Sequence, residues 1–197
     1  MNLPRMSPKI WFPLTALLFV GVIFLIYRTL ASDDQARCVL DDPSLKAIIL
    51  AKTPTAVPEI RLTKDDDSHI QLADFEGHGV ILNFWATWCA PCVREMPELD
   101  ALKKTLKNDG IEVLTVSTDR EGIPAIREFF ARNAISNLQP LSDAKGEAAR
   151  ALGIRGLPTT LIINADGLEV ARIVGIHDYA SAASAAYFRR CIGKEKS

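Results

Sequence analysis

Two closely spaced cysteines at the junction of two sequence patterns constrain this 197-residue chain more than any other feature. Residues 80–85 form an almost unbroken apolar run, as in a strand covered on both faces, and the residues after Cys89 recur with helical spacing. Cys89 should therefore stand at a helix N-terminus, where unpaired N–H groups and the helix dipole stabilise a thiolate. Cys92 follows one turn later and is placed to attack a mixed disulfide at Cys89. The pattern predicts a redox-active Cys89–Cys92 disulfide.

Alternating strand and helix patterns surround this pair. Strand patterns occupy residues 59–63, 70–72, 79–85, 111–116, 138–141, 159–163 and 169–174. Helical patterns occupy residues 93–106, 124–133, 147–152 and 179–192. A βαβ half followed by a ββα half predicts an α/β domain over residues 57–193, with one mixed sheet, helices on both faces and an N-terminal β-hairpin extension.

The N-terminal region has the features of a membrane anchor. Residues 10–27 carry no charge, and as a helix they would span about 27 Å, close to the hydrocarbon thickness of a bilayer. Basic residues precede the run, so the positive-inside rule predicts residues 1–9 in the cytoplasm, a transmembrane helix over residues 10–30 and an exported domain. A cleaved signal peptide and a buried core helix are the alternatives, and the first of these also exports the domain.

The segment between this run and the domain, residues 31–56, has the composition of a tether. Residues 42–44 have the sequence of a helix start, and residues 45–52 follow with a short amphipathic spacing. Residues 52–58 contain two prolines and are typical of extended chain. We therefore predict a tether with one short helix.

Composition narrows the function classes. The formal net charge of −1 and the pI near 6.3 give no reason to expect a nucleic acid partner. The four cysteines lack the second close pair of a four-thiolate zinc site, so no metal or other cofactor is predicted. The histidines, His69, His78 and His177, are scattered, and we expect each on the surface or in a loop.

A resemblance to a known family rests on four stretches. They are LADFEG at residues 72–77, the strand VILNFW at residues 80–85, the following ATWCAPC at residues 86–92, and GLPT at residues 156–159. With the N-terminal anchor, they resemble the membrane-anchored thioredoxin-like proteins of the TlpA/ResA group, and TlpA most closely. The resemblance implies a thioredoxin-like fold and a cofactor-free thiol:disulfide oxidoreductase, held by a single span in the inner membrane with its domain in the periplasm.

The resemblance also implies roles for the cysteine motif. Cys89 becomes the exposed attacking thiol and Cys92 the buried resolving thiol. The ring of Trp88 would shield the site, with plain packing as the alternative role. Pro91 would restrict the loop between the two sulfurs.

The second matching motif supplies the facing loop. Pro158 corresponds to the cis-proline opposite the disulfide; the alternative, without the resemblance, is a proline that simply starts a strand. The backbone of Leu157 would offer hydrogen bonds to a substrate segment, and Thr159 opens the next strand.

The acid near the thiols departs from the common thioredoxin pattern. Thioredoxins often carry a buried acid on the strand six residues before the first cysteine, and here Asn83, which cannot titrate, holds that place. Glu95, three residues after Cys92, matches the position where ResA-like proteins place an acid. We expect Glu95 to handle a proton, and the alternative is a solvated helix carboxylate.

The sequence leaves open whether the remaining cysteines, Cys38 and Cys191, are bonded to each other. A structural disulfide between them would tie the membrane-proximal arm to the last helix. An inert buried Cys191, or a free or intermolecular Cys38, are the alternatives.

The motif also bears on the direction of electron flow. Ala90 and Pro91 leave no ionisable group between the cysteines, which predicts a low potential and a reductase. Family resemblance suggests clients in the biogenesis of cytochromes: a copper-assembly protein, the copper-site thiols of a cytochrome oxidase subunit, or apocytochrome c. A membrane electron donor of the DsbD/CcdA type would re-reduce the chain. The alternatives are a copper-binding module that uses the CxxC thiols and a peroxiredoxin-like peroxidase. A peroxidase of that kind requires a threonine three residues before the reactive cysteine, and Ala86 occupies this position.

Overall fold

A computed structural model of the chain describes residues 37–194 together with Phe19 and Val22. The predicted cytoplasmic segment, residues 1–9, and nearly all of the predicted anchor, residues 10–30, lie outside the described residues. In the part of the chain that is described, no helix has both the length and the apolarity needed to cross a bilayer.

One eight-stranded mixed sheet forms the centre of the domain. Its strands are β1 Ile48–Ala56, β2 Arg61–Lys64, β3 His69–Gln71, β4 Gly79–Trp85, β5 Ile111–Ser117, β6 Leu141–Ser142, β7 Thr159–Ile163 and β8 Leu168–Val174. They lie in the order β1-β8-β7-β4-β5-β6-β2-β3. The pairs β4–β5 and β5–β6 are parallel and all other pairs are antiparallel. The predicted hairpin is β2–β3, and it extends the sheet by pairing with β6.

Four α-helices accompany the sheet in the described part of the chain. They are α1 Ala90–Leu106, α2 Ile123–Arg132, α3 Glu147–Ala151 and α4 Ala182–Ile192, with 3₁₀ helices at Pro43–Ala47 and Leu72–Phe75. The last helix begins three residues later than predicted, because the Ser181 side chain accepts the backbone N–H of Ser184 and caps it there. The preceding residues are then free to form a loop against α1.

The sheet separates two apolar layers, and β4 contributes to both. Every residue of β4 is buried, as its continuous apolar sequence predicts. Ile81 and Trp85 join the layer that contains α1, α2 and α4, whereas Leu82 and Phe84 join the layer beneath α3 and the hairpin. This central strand ends directly before the loop that carries the cysteine pair.

From residue 37 onward, the predicted tether with one short helix is confirmed only in its helix start, which forms with Asp42 as the cap, because the rest of the segment belongs to the folded domain. Residues Pro43–Ala47 form only a 3₁₀ turn, and Ile48–Ala56 continue as the edge strand β1, antiparallel to β8. Adjacent β-branched isoleucines favour a strand, and Ile49 points outward with 59% of its surface exposed. Pro54 is tolerated because β1 is an edge strand whose register with β8 shifts around it.

A disulfide fastens this arm to the last helix. Cys38 and Cys191 are bonded, with their Cα atoms 4.4 Å apart, and each is only 1% exposed. Around the bond, Arg190 donates to Asp41 at 3.0 Å and Arg37 donates to the Arg190 carbonyl at 3.3 Å. The arm is therefore part of the folded domain from residue 37 onward.

Removing this bond should cost substantial stability. It joins residues 153 apart, and the loop-entropy model assigns about 4–5 kcal/mol to so long a closure. The double variant Cys38→Ser/Cys191→Ser should therefore lose free energy of unfolding by roughly this amount in urea titrations. The control, Cys89→Ser/Cys92→Ser, removes a bond between residues only three apart and should lose much less. Equal losses in the two variants would contradict the assignment.

Candidate active site

Cys89 is the N-cap of α1, and a short loop connects it to the end of β4. Its sulfur accepts the backbone N–H of Cys92 at 3.3 Å and is bonded to the Cys92 sulfur. After reduction, the same N–H and the dipole of this 17-residue helix favour a thiolate on Cys89. Cys89 is 6% exposed and Cys92 is 1% exposed, so both are buried and the exposed Cys89 implied by the resemblance is not observed. The two residues differ in that Cys89 lines the groove described below and Cys92 does not.

A buried carboxylate fixes the loop before the cysteines. Asp119, which follows β5, accepts the Thr87 backbone N–H at 2.9 Å and the Thr87 hydroxyl at 2.7 Å. The Ser117 hydroxyl donates to the same carboxylate at 2.6 Å. Asp119 is only 1% exposed, and its oxygens have three donors to compensate for burial. Sequence reasoning missed this residue, although an acid directly after a strand parallel to β4 is placed to reach the Cys89 loop.

An open groove of about 640 Å³ runs beside Cys89. Its walls are mostly apolar or small, and Arg155 is the charged residue among them; the lining residues are Trp88, Cys89, Ala90, Pro91, Thr118, Ala149, Ile154, Arg155, Gly156 and Leu157. Trp88 is 72% exposed and forms part of the groove wall. Cys92 does not line the groove, so only Cys89 faces an arriving substrate.

The loop facing the cysteines carries the second family motif. The Leu157–Pro158 peptide is cis, and the Pro158 carbonyl accepts the Gly175 N–H at 2.9 Å. The Thr159 hydroxyl donates to the Gly156 carbonyl at 2.7 Å. Among the described residues, none forms a hydrogen bond with the backbone of Leu157, which lies in the groove wall. Its N–H and C=O remain free to pair with a bound segment.

The position of the common thioredoxin acid holds a neutral polar group. Asn83 is buried in β4, and its amide donates to the Thr160 hydroxyl at 2.9 Å. Thr160 in turn contacts the Tyr179 hydroxyl at 2.6 Å. Burial raises the pKa of Tyr179, which keeps the phenol protonated. This layer of hydroxyls and amide is uncharged at neutral pH and cannot take a proton from Cys92.

Glu95 is the buried acid near the thiols. It lies one helical turn beyond Cys92 on α1 and is only 2% exposed, which excludes a solvated surface carboxylate. One oxygen, Oε1, accepts the His177 backbone N–H at 2.6 Å, and the other, Oε2, has no hydrogen-bond partner. Burial raises the pKa of Glu95 to about 7, with the charge of Glu98 adding to the rise and the His177 N–H and Arg94 opposing it. A carboxyl with this pKa exchanges protons readily at neutral pH.

His177 lies in the loop that follows β8, as expected, but this part of the loop is buried and not at the surface. His177 is 3% exposed, its Nε2 lies 2.8 Å from the Ser184 hydroxyl, and its ring meets Tyr179 edge-on at 5.0 Å between centroids. Burial lowers the pKa of His177, against the opposing charge of Asp178. Pairing of Thr159 with Val174 brings the end of β8 beside the cis-proline, so the hairpin pattern already placed the following residues near the site.

No group of three or more potential metal ligands from His, Cys, Asp and Glu occurs among residues 37–194, Phe19 and Val22.

Comparisons with known proteins agree with this geometry. The sequence profile of the AhpC/TSA family matches residues 54–170, which is more than half of the chain. The thiol-disulfide oxidoreductase ResA of Bacillus subtilis (strain 168) is 34% identical over 128 residues, covering 62% of this chain and 70% of ResA. The ResA of Oceanobacillus iheyensis is 33% identical over 162 residues, covering 80% and 76% respectively. The chain belongs to the AhpC/TSA family, in its ResA-like group of thiol-disulfide oxidoreductases.

Solved structures show the same fold for this family member. A crystal structure of a putative thiol:disulfide interchange protein DsbE from Chlorobium tepidum superposes with a TM-score of 0.58 at 27% identity, covering 63% of this chain and 86% of that one. The thioredoxin-like fold predicted from the motifs is thus confirmed, and so is the predicted class of enzyme.

The anchoring role of Asp119 gives a first prediction for the site. Asp119→Asn replaces one carboxylate oxygen with an NH₂ group, which faces an N–H or O–H donor that it cannot accept. Leaving such a buried donor without an acceptor costs about 1–3 kcal/mol of folding free energy. We expect a loss of this size in urea unfolding and slower reaction of Cys89 with a disulfide. The exposed Asp166→Asn serves as the control and should match wild type. An Asp119→Asn variant as stable and as fast as the control would contradict the role.

The environment of Glu95 gives a second prediction, on stability against pH. The folded state raises the pKa of Glu95 from 4.5 to about 7, so it holds a proton that the unfolded chain has already lost. The stability of the oxidised protein should therefore fall as pH rises through this window, by up to about 3 kcal/mol. Glu95→Gln removes the titration, and its free energy of unfolding should fall less between about pH 4.5 and pH 8.

Urea titrations at about pH 4.5, 6 and 8 measure this difference. Glu121→Gln, which changes an exposed carboxylate, is the matched control and should follow wild type. If Glu95→Gln also follows wild type across the range, the buried acid is not titrating near pH 7.

Proposed function

We propose that this chain is a membrane-anchored periplasmic reductase of disulfides in particular exported proteins. The observation that carries the proposal is the asymmetry of the cysteine pair, since Cys89 lines an open groove whereas Cys92 is sealed behind it. An attacking thiol must reach a protein client, and a resolving thiol must be protected from it.

The reaction proceeds in two exchanges. The Cys89 thiolate attacks one sulfur of the client disulfide, forms a Cys89–client disulfide and releases the other client sulfur as a thiolate. Cys92 then loses its proton and attacks the Cys89 sulfur, so that the Cys89–Cys92 bond forms and the second client thiolate leaves. The client gains two electrons and the chain loses two. The client thiolates take protons from solvent.

Glu95 accepts the Cys92 proton in this scheme. It follows Cys92 by one helical turn, is sealed from solvent and has an oxygen without a partner. Its pKa of about 7 lies between those of an ordinary carboxyl and an ordinary thiol, so the proton moves to it without a large energetic cost in either direction. Asn83, which fills the usual acid position, contributes only hydrogen bonds.

The groove favours an extended client segment. The backbone of Leu157 offers an N–H and a C=O beside Cys89, and a peptide running past it can pair as a strand does. Apolar walls formed by Trp88, Pro91 and Ile154 then contact its side chains.

Reduction in the periplasm requires a supply of electrons, because that compartment is oxidising. We infer a membrane electron donor of the DsbD/CcdA type, reached through an anchor over residues 10–30. Clients in cytochrome biogenesis fit this arrangement: a copper-assembly protein, the copper-site thiols of an oxidase subunit, or the haem-binding cysteines of apocytochrome c.

A trapping experiment tests the function and identifies the client. Cys92→Ser leaves Cys89 able to attack but stops resolution, so a mixed disulfide accumulates in native membranes. We expect a discrete adduct with an exported thiol protein, found by mass spectrometry of the non-reduced band. Cys89→Ser/Cys92→Ser is the control and should capture nothing. The absence of any adduct specific to the single variant would overturn the reductase function.

The potential of the pair tests the direction of electron flow. With no ionisable group between the cysteines, the potential should lie near the thioredoxin value of about −270 mV and far from the DsbA value of about −120 mV. Pro91→His places a cation next to the Cys89 thiolate and should raise the potential by stabilising the reduced form. A wild-type potential near −120 mV, measured against glutathione, would instead indicate an oxidant.

A further inference from the structure

The groove beside Cys89 carries one positive charge in its wall. Arg155 is the charged residue among the groups that line the groove, and the other walls are apolar or small. Arg155 is exposed, and among residues 37–194 no carboxylate pairs with its guanidinium and no acceptor takes a hydrogen bond from it. A free cation on a largely apolar surface therefore meets any segment that enters the groove.

Arg155 also lies at the border between this groove and a second opening. That cavity has a volume of about 390 Å³ and is lined by Gly153, Arg155, Gly156, Thr159, Arg172 and Val174. Arg155 and Gly156 line both spaces. A Cβ built on Gly156 would meet no heavy atom of the described chain within 4 Å beyond the adjoining residues, so the wall is open there. A bound segment can pass from the groove over this glycine and beside the guanidinium.

Two carboxylates adjoin these spaces, and both are already occupied. Glu169 accepts two hydrogen bonds from the guanidinium of Arg172, at 2.7 and 2.9 Å. Asp119 is buried and accepts two hydrogen bonds from Thr87 and one from Ser117. Neither carboxylate is left to pair with the free guanidinium, so the groove lining keeps its positive charge.

Covalent geometry places this charge beside the backbone that would hold a client. Arg155 precedes Leu157 by two residues, so their Cα atoms lie no more than about 7 Å apart. The proposed pairing of an extended client with Leu157 then brings client residues near the reactive cysteine within reach of the long Arg155 side chain. Arginine is suited to recognise a carboxylate there, because its planar guanidinium can donate two parallel hydrogen bonds to it.

We propose that Arg155 selects clients in which the segment around the reactive cysteine is acidic. This inference rests on the reductase function proposed above and names the class of client segment that the groove takes. A client aspartate or glutamate near the cysteine is attracted by Arg155, whereas a lysine or arginine in the same place is repelled. Arg155 determines specificity and is not catalytic, because the bonds that form and break join sulfur atoms alone.

Competition between peptides measures this selection. The probes are heptapeptides with a central cysteine, prepared as symmetric disulfide dimers, with Glu, Gln or Lys at one of the other positions. The Cys89 thiolate of the Cys92→Ser variant attacks a dimer, forms a Cys89–peptide disulfide and releases the second copy as a thiolate. When two dimers compete, the ratio of their adducts at early times, measured by mass spectrometry, is the ratio of their rates of attack. Dividing by the same ratio for mercaptoethanol removes the intrinsic effect of the charge on the disulfide.

Glu peptides should react about two- to fivefold faster than Gln peptides at positions that reach Arg155, as expected for an exposed ion pair, and Lys peptides more slowly. The preference should shrink in about 1 M salt, where the Debye length is only about 3 Å. In the same Cys92→Ser background, Arg155→Gln should bring the ratio to about one and Arg155→Lys should keep most of it. Arg155→Glu should reverse the preference in favour of Lys peptides, which a change in packing would not do.

Arg61→Gln removes an exposed arginine of β2 that lies outside the groove lining, and as the matched control it should keep the preference of its parent. Equal reaction of Glu and Gln peptides at every position would overturn the selection, and so would a preference that persists in Arg155→Gln. Failure of the reductase function looks different, because no peptide would then form an adduct with Cys89.

Discussion

The junction between β4 and α1 is the constraint on which the site depends. The strand is buried on both faces and cannot shift without disturbing two apolar layers. Its end therefore fixes where the helix begins, and Cys89 at that position receives the helix dipole and the Cys92 N–H. Asp119 holds the intervening loop to β5. A thiolate at Cys89 is favoured by backbone that the fold has already ordered, so stabilising it requires no rearrangement during the reaction.

Placing the acid on the helix instead of on the strand changes how the proton moves. Asn83, at the position of the common thioredoxin acid, joins a neutral layer with Thr160 and Tyr179. Glu95 lies at the side of α1, against the loop that follows β8. The cost of burying it appears as a raised pKa, and the same location brings it next to His177. The burial of Glu95 and its raised pKa thus both follow from its place on the helix.

The sequence predicted what depends on local pattern and missed what depends on tertiary contact. The continuous apolar run of β4, the helix beginning at the cysteines and the hairpin were all accessible, because periodicity and turn residues report them directly. The edge strand β1 could not be predicted in this way. Its apolar residues at 45–49 are spaced three and four apart, which is typical of a helix, and the strand depends on its pairing with β8. The pairing of Cys38 with Cys191 stayed open because the residues lie 153 positions apart. Asp119 and His177 carry no motif; the strand order brings Asp119 to the loop before Cys89 and His177 to Glu95.

The arm that precedes the domain also lies beside the loop that binds Glu95. Ser44, Lys46 and Ala47 line a small cavity together with His177, and they are kept there by β1 and by the disulfide between Cys38 and Cys191. That bond is buried in the core and does not line the groove, so it is shielded from a reagent that reaches Cys89 there. The chain can therefore use one disulfide as a reagent and keep the other as a fixed support. Release of the arm would remove Ser44, Lys46 and Ala47 from beside His177, whose backbone N–H binds Glu95, so the structural disulfide supports the surroundings of the buried acid.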